Sequence, residues 1–219
     1  MMRTIAFVTQ KGGSGKSTMA ISLAVAAMEA RERVFVLDMD PQRSLKNWAE
    51  LRGRDDLPVE AVTAGRLPAT LAALEKSGFT LAIIDTPGVE GAASIAAMKA
   101  ADLNIIPVRP NIFDLWASEV TRKALKEHRA SYVFALNQCP PAQQSARIQQ
   151  GAEALEALGG LITPMILSRV DYQEATRTGL GVTEWNPSGA AADEIRAMWS
   201  SIRRRLARLT KAAPTRKAA

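Results

Sequence analysis

The start of this chain admits very few folds. Arg3 to Thr9 (Arg-Thr-Ile-Ala-Phe-Val-Thr) is short, apolar and β-prone, and reads as a buried strand. From Ser17 to Ala30 the residues are rich in Ala, Leu, Ile and Met, and read as a helix. Between them stands Gln-Lys-Gly-Gly-Ser-Gly-Lys-Ser-Thr, residues 10 to 18. Gly12, Gly13 and Gly15 permit positive φ and let the backbone come close to a ligand. Successive N–H groups there, with the helix N-terminus behind them, form a nest for an anion. Lys16 is placed to reach the outer phosphates of a nucleotide, and the Ser17 hydroxyl to hold Mg²⁺. The loop departs from the generic pattern of Gly, four residues, Gly-Lys-[Ser/Thr]. Its first glycine position is Gln10, and a second lysine, Lys11, follows directly.

Further strand-like runs fall at Val34–Leu37, Leu81–Ile84, Leu103–Val108, Val133–Leu136 and Leu161–Ile166. Helix-like runs fall at Ser44–Leu51, Pro68–Lys76, Ala92–Ala100, Leu115–Arg129, Ala142–Leu158 and Ala190–Leu209. Alternation of this kind predicts an α/β fold, a doubly wound and mostly parallel sheet flanked by helices. The runs Ala82-Ile-Ile and Ile105-Ile-Pro-Val do not alternate with polar residues, as expected of strands covered on both faces. Ligands in such sheets lie beyond the carboxyl ends of the strands.

Two strands carry acids to that edge. Phe35-Val-Leu-Asp-Met-Asp-Pro-Gln ends with Asp38 and Asp40, and Leu81-Ala-Ile-Ile-Asp-Thr-Pro-Gly ends with Asp85. A carboxylate after a buried strand is costly unless paired, hydrated or beside a metal. Asp85 fits an acid that holds Mg²⁺ through water, and Asp40 one that orients an attacking water. Asp38 is a candidate either for the metal shell or for bracing the loop.

The single cysteine, Cys139, cannot close an internal disulfide, which suits the cytoplasm, and the single histidine, His128, excludes a His-based metal cluster. No run is apolar for the roughly 18 residues a bilayer span needs. The net charge of +6 is unevenly spread. From Arg196 to Ala219 there are eight Lys/Arg and no Asp/Glu, which leaves 20 basic against 22 acidic residues in the rest. An anionic surface is the expected partner of such an end.

Lys11-Gly-Gly-Ser-Gly-Lys-Ser-Thr, Leu37-Asp-Met-Asp-Pro-Gln and Ile84-Asp-Thr-Pro-Gly together resemble the ParA/MinD superfamily of deviant-Walker ATPases. Val108-Arg-Pro-Asn-Ile-Phe-Asp-Leu-Trp and Tyr172-Gln-Glu-Ala extend the likeness, which is strongest to the short ParA-type partition and positioning ATPases. The resemblance implies a P-loop ATPase domain over 1–210, followed by a basic tail at 211–219 without fixed structure. It implies ATP and ADP with Mg²⁺ as cofactors. Gly12, Gly13, Ser14, Gly15, Lys16, Ser17 and Thr18 would then cradle the phosphates. Lys11 would reach the phosphates of the partner in an ATP-dependent homodimer, Asp40 would activate water, and Asn137 would contact adenine. Implied partners are non-specific DNA and a ParB-like or cargo-adaptor protein that stimulates hydrolysis, with a cytoplasmic, nucleoid-associated location.

Trp199, Ile202, Leu206 and Leu209 form one helical stripe, with Arg203, Arg204, Arg205 and Arg208 mostly off it. The expectation is that the stripe docks on the sheet and the arginines meet DNA phosphates. In a MinD-like protein the stripe would instead insert into a membrane surface. A metabolic P-loop enzyme is a third reading, although no substrate constellation is visible for it.

Overall fold

The computed structural model describes residues 1–141 and 146–212, and for 146, 147 and 210–212 the backbone only. Six strands form one all-parallel sheet: β1 (Arg3–Phe7), β2 (Val34–Asp38), β3 (Val59–Ala61), β4 (Leu81–Asp85), β5 (Leu103–Val108) and β6 (Tyr132–Leu136). Their order across the sheet is β3-β2-β4-β1-β5-β6. The helices are α1 (Lys16–Glu29), α2 (Ser44–Arg52), α3 (Leu67–Lys76), α4 (Ala92–Ala100), α5 (Ile112–Glu127), α6 (Ala146–Gly159), α7 (Val170–Arg177), α8 (Val182–Trp185) and α9 (Ala190–Ala212).

Strand residues alternate between two apolar layers, as a pleated sheet requires. Ile5, Phe7, Val36, Ile83, Ile105 and Ala135 face the layer made by α1 and α9, with α2, α7 and α8. Ala6, Leu37, Ile84, Ile106 and Phe134 face the layer made by α3, α4, α5 and α6. The central strands are therefore buried on both faces, which is why their sequences run apolar without a break. Helix α1 is buried nearly throughout from Met19 to Ala27, because it lies between the sheet and α9 and has no solvent side.

Three segments differ from expectation. Val59–Ala61 is a strand that its sequence does not announce, three half-buried residues on the sheet edge beside β2. Leu161–Ile166 makes no strand, and the chain pairs there only at single residues, Leu161 with Phe134 and Leu167 with Cys139. Pro164 has no N–H to contribute to a ladder in that segment. Helix α5 begins three residues before the expected Leu115, because the Asn111 side chain accepts from the Asp114 N–H and caps it. Of the helix expected over Ala142–Leu158, residues 142–145 lie outside the described residues, as do 213–219 of the expected tail. Helix α9 continues through Lys211 to Ala212.

On α9, Ile195, Met198, Trp199, Ile202 and Leu206 are buried in the first layer. Each such side chain contributes about 1.5–3 kcal/mol by leaving water. The stripe is thus committed to the core, and lifting it onto a membrane would expose the layer it seals. Among the described residues no helix is long and apolar enough to cross a membrane.

Candidate functional site

The site lies where the sheet order reverses, at the carboxyl ends of β1, β2 and β4. In register, Phe7, Asp38 and Asp85 stand side by side on these strands, so the loops after them converge. The loop after β1 turns into α1 through Gly13 and Gly15, at φ 75° and 89°, where a β-carbon is strained. A side chain at Gly15 would also collide with the Asn137 amide. The N-terminus of α1 has no side-chain cap, which leaves its first N–H groups for an anion.

Lys16 is buried, and its ammonium makes one long contact, 3.4 Å to the Lys11 carbonyl. Burial lowers its pKa, against the attraction of Asp85 and Asp40. The Ser17 hydroxyl donates to Asp85 Oδ2 at 2.5 Å. Asp85 is fully buried, and its other oxygen, Oδ1, has no hydrogen-bond partner. Burial pushes its carboxyl up to about 7; the Ser17 hydroxyl pulls it down, Asp38 repels it, and Lys16 again steadies it. A half-satisfied buried carboxylate next to a serine hydroxyl is a donor set suited to Mg²⁺, which takes one or two protein oxygens and completes its shell with phosphates and water. Among the described residues no group of three or more His, Cys, Asp or Glu side chains is placed to hold a metal without such help.

Asp38 has a different task. Its Oδ1 accepts from the Asp40 N–H at 3.0 Å, and its Oδ2 from the N–H groups of Leu45 (3.0 Å) and Lys46 (3.1 Å). It caps α2 from the end of β2 and fixes the loop that carries Asp40. Of its two expected roles, bracing is the one these bonds show. Asp40 lines the phosphate-side cavity together with Gln42, Ser44, the glycine loop, Lys16, Gly88 and Val89.

This cavity measures about 420 Å³. A second one, of about 610 Å³, lies on the other side of Gly15 and Thr18, which line both. Its walls come from Asn137, Leu167, Ser168 and Arg169, from Tyr172, Thr176 and Arg177 on α7, and from Leu51 on α2. Asn137 is buried and donates to the Ser14 carbonyl at 2.8 Å, so it braces the glycine loop and forms a wall of this cavity at once. Sequence reasoning missed most of this wall. The Tyr172-Gln-Glu-Ala segment carries it, on a helix too short for a strong periodic signal.

Three other neighbours of the loop were also unforeseen. Gly88 lies so near Gly12 that an added β-carbon would sit 3.1 Å from Gly12 Cα and N. Arg109, held by both carboxylate oxygens of Asp114 at 3.0 and 3.1 Å, approaches Gly13. The Gln10 N–H donates to Thr121 Oγ1 of α5 at 3.1 Å. The Lys11 side chain, half-buried beside this bond, makes no hydrogen bond or ion pair among the described residues.

The four arginines expected to meet DNA do not share one exposed surface. Arg203, Arg204 and Arg208 are exposed on α9. Arg205 turns inward and donates to the carbonyls of Tyr132 (3.3 Å) and Gly159 (3.2 Å). It ties α9 to β6 and to the end of α6, and is removed from the candidate DNA surface.

Comparison with known proteins agrees with this geometry. The family model described as the CobQ/CobB/MinD/ParA nucleotide binding domain matches residues 5–194. The chain is 33% identical over 204 residues to the maintenance of carboxysome distribution protein A of Gloeobacter kilaueensis, covering 88% of this chain and 89% of that one. Apo McdA of Cyanothece superposes with a TM-score of 0.77 at 18% identity, over 94% of this chain and all of that one. The septum site-determining protein MinD of Pyrococcus horikoshii, complexed with Mg-ADP, superposes with a TM-score of 0.71 at 19% identity, over 92% and 96% of the two chains.

Proposed function

Because the chain belongs to the CobQ/CobB/MinD/ParA family of nucleotide-binding proteins, we propose that it is a ParA-like ATPase that dimerises on ATP, binds DNA without sequence preference, and is released when a partner stimulates hydrolysis. Its cycle positions or segregates a cargo, whether a plasmid, a chromosome region or a protein assembly. The likeness to a carboxysome-distribution protein brings the last of these forward. The cell location that goes with this cycle is the cytoplasm, on the nucleoid.

The observation that carries the reading is the pair of cavities meeting at Gly15 and Thr18. One is lined by phosphate-binding groups and a water-orienting acid, the other by a base-sized mixture of apolar and polar walls. In the proposed reaction the loop N–H groups and Lys16 hold the β- and γ-phosphates of ATP. Asn137 meets the base, and Asp40 orients the water that attacks the γ-phosphate. Bound Mg²⁺, held at Ser17 Oγ and Asp85, supplies charge neutralisation on the phosphates. Lys11 delivers its charge to the partner's phosphates, so nucleotide state and dimerisation become one event.

The burial of the α9 stripe favours DNA over a membrane surface, since the large apolar residues Ile195, Met198, Trp199, Ile202 and Leu206 are buried while Arg203, Arg204 and Arg208 are exposed. The test is binding to random-sequence DNA and to anionic vesicles, each with MgATP and with MgADP. We expect DNA binding with ATP only, weakening steeply as salt rises. ATP-dependent vesicle binding without DNA binding would refute the reading. Lys11→Ala should bind nucleotide and sediment as a monomer; an ordinary ATP-dependent dimer of that variant would remove the trans role.

A further inference from the structure

The larger cavity has a wall that is held from behind. No described residue of α9 borders that cavity. Yet Glu194, near the start of α9, spends its carboxylate on three residues that do. Its Oε1 accepts from Arg169 Nε at 3.0 Å and from Arg169 Nη2 at 2.6 Å. Its Oε2 accepts from the Leu167 N–H at 3.3 Å and from the Tyr172 hydroxyl at 3.5 Å. The backbone of this wall does not need the carboxylate. The Ser168 N–H donates to the Cys139 carbonyl at 2.7 Å, and the Cys139 N–H to the Ile166 carbonyl at 3.0 Å, so the segment is already tied to the chain that leaves β6. What Glu194 adds is the aim of two side chains. Burial, and after it Glu194, push the Tyr172 hydroxyl above the usual phenol range, so it stays a donor. Its partners are Glu194 and the Ala191 carbonyl at 3.4 Å, both on α9. With its polar end taken by α9, Tyr172 leaves ring carbon for the cavity. Arg169 has Nε and Nη2 engaged, and its Nη1 makes no hydrogen bond among the described residues. A guanidinium is planar, so fixing two of its nitrogens fixes the third.

We infer that Glu194 is a positioning residue for recognition of the nucleoside: it holds Arg169 so that Nη1 meets an acceptor atom of the base or sugar, beside the ring surface of Tyr172. The inference rests on the reading that the larger cavity takes the nucleoside of ATP. Charge gives Glu194 a second effect on the same site. A bare guanidinium in this wall would attract the phosphates of the nucleotide into the wrong cavity. Paired with Glu194, at 28% and 14% side-chain exposure, Arg169 carries no net charge into the wall and acts as a directed donor. The phosphates are then left to the glycine loop and Lys16, on the other side of Gly15 and Thr18. Arg177 marks the contrast. It borders the same cavity, but its side chain is 69% exposed and its partner is Glu174 of its own helix. A pair so exposed is a weak constraint on either side chain.

The experiment is titration calorimetry with MgATP, MgADP and inorganic triphosphate with Mg²⁺, on wild type, Glu194→Gln, Arg169→Ala and the double variant. Urea unfolding of each is measured alongside. Wild type should bind ATP more tightly than triphosphate. Glu194→Gln should bind ATP and ADP about tenfold more weakly, the loss of one charge-assisted hydrogen bond. Its affinity for triphosphate should stay level or rise, because the freed guanidinium attracts phosphate. Arg169→Ala should lose about the same factor for ATP and ADP and change by less than about twofold for triphosphate. In that background, adding Glu194→Gln should alter ATP affinity by less than about twofold, as expected of a residue that acts through another. A residue that only ties α9 to the wall would shift the unfolding midpoint and leave the ratio of ATP to triphosphate affinity unchanged. An unchanged ratio in Glu194→Gln would therefore overturn the inference and leave the functional reading standing. If Glu194→Gln does not fold, Arg169→Ala decides alone, since it keeps the Glu194 bonds to Leu167 and Tyr172; wild-type selectivity in that variant would overturn the inference. A wild type that binds triphosphate as tightly as ATP would overturn both the inference and the assignment of the larger cavity to the nucleoside.

Discussion

Helix α2 has a buried polar cluster at each end, and the two are opposites. At its N-terminal end lie Lys16, Ser17 and Asp85: a buried ammonium with one long contact, and a carboxylate with one oxygen unpartnered. At its C-terminal end lies Arg52, whose side chain is also fully buried. There every bond is made. Arg52 donates to both oxygens of Asp56 at 2.7 and 2.8 Å, to both oxygens of Glu184 at 2.8 and 2.6 Å, and to the Gly179 carbonyl at 3.1 Å. Its guanidinium also lies over the Trp48 ring. Burial alone does not mark a functional charge. An incomplete set of partners does, because a protein that buries a charge without satisfying it has left those bonds for a ligand.

The comparison can be broken at either end. The largest effect is expected from Asp85→Asn. Steady-state ATP hydrolysis should fall about a hundredfold or more, because in the proposed reaction this carboxylate would help hold Mg²⁺ on the phosphates. Nucleotide-free stability in urea should stay level or rise, since a buried and half-satisfied acid is gone. A loss of several kcal/mol in that variant would mean the carboxylate is structural after all. Arg52→Ala should show the reverse. We expect it to cost about 3 kcal/mol of unfolding free energy, the lower end for breaking a buried pair, as Asp56 and Glu184 keep some contact with water. The folded fraction should bind ATP with nearly unchanged affinity.

The Arg52 cluster also carries a pH signature. The hydrogen bond from Arg52 holds Asp56 below the usual carboxylate range. For Glu184, burial works upward, but the bonds from Arg52 and from the Gly181 N–H outweigh it and the net shift is down. Acids lowered in the folded state stabilise it above their ordinary values of 3.8 and 4.5 and lose that contribution as pH falls through the folded values. The stability gap between wild type and Arg52→Ala should therefore be full at pH 7 and shrink below about pH 4. A gap independent of pH would remove the charges from the account. The smallest effect is expected from Asn137→Ala, which deletes one bond to the glycine loop, worth about 1 kcal/mol in urea unfolding. If Asn137 also meets the base, affinity for ATP should drop by more than affinity for inorganic triphosphate. Equal losses would leave it a brace only.

The two clusters also differ in how far the sequence reveals them. The phosphate end is legible because its parts are local and spaced by chemistry: glycines where φ turns positive, Lys-Ser at a helix start, an acid where an apolar strand stops. The Arg52 end joins residues 132 positions apart, and nothing in Leu51-Arg-Gly or Thr183-Glu-Trp marks them as partners. The same contrast separates β5, whose bounds the sequence gives to the residue, from β3, whose Val-Glu-Ala becomes a strand because β2 offers an edge. It separates Arg203 from Arg205 as well. Neighbours on one helix, they differ only in what the turn presents to each, solvent for one and two carbonyls for the other. Asp38 lies between these extremes. Its place at the site was readable, but its use was not, because backbone N–H groups leave no trace in a sequence.

Gly88 has a mechanical consequence. It meets Gly12 backbone to backbone, with no side chain on either residue to absorb a displacement. In the proposed cycle, a shift of the loop after β1 toward Gly88 as it takes up a phosphate would press on that peptide directly. The exposed Val89 side chain then moves with it, like the pointer of a gauge whose needle is fixed to the spring. A β-carbon at Gly88, 3.1 Å from Gly12 Cα and N, would put a wedge into that linkage. The loss would appear as a protein that still holds its nucleotide but no longer displays which one it holds.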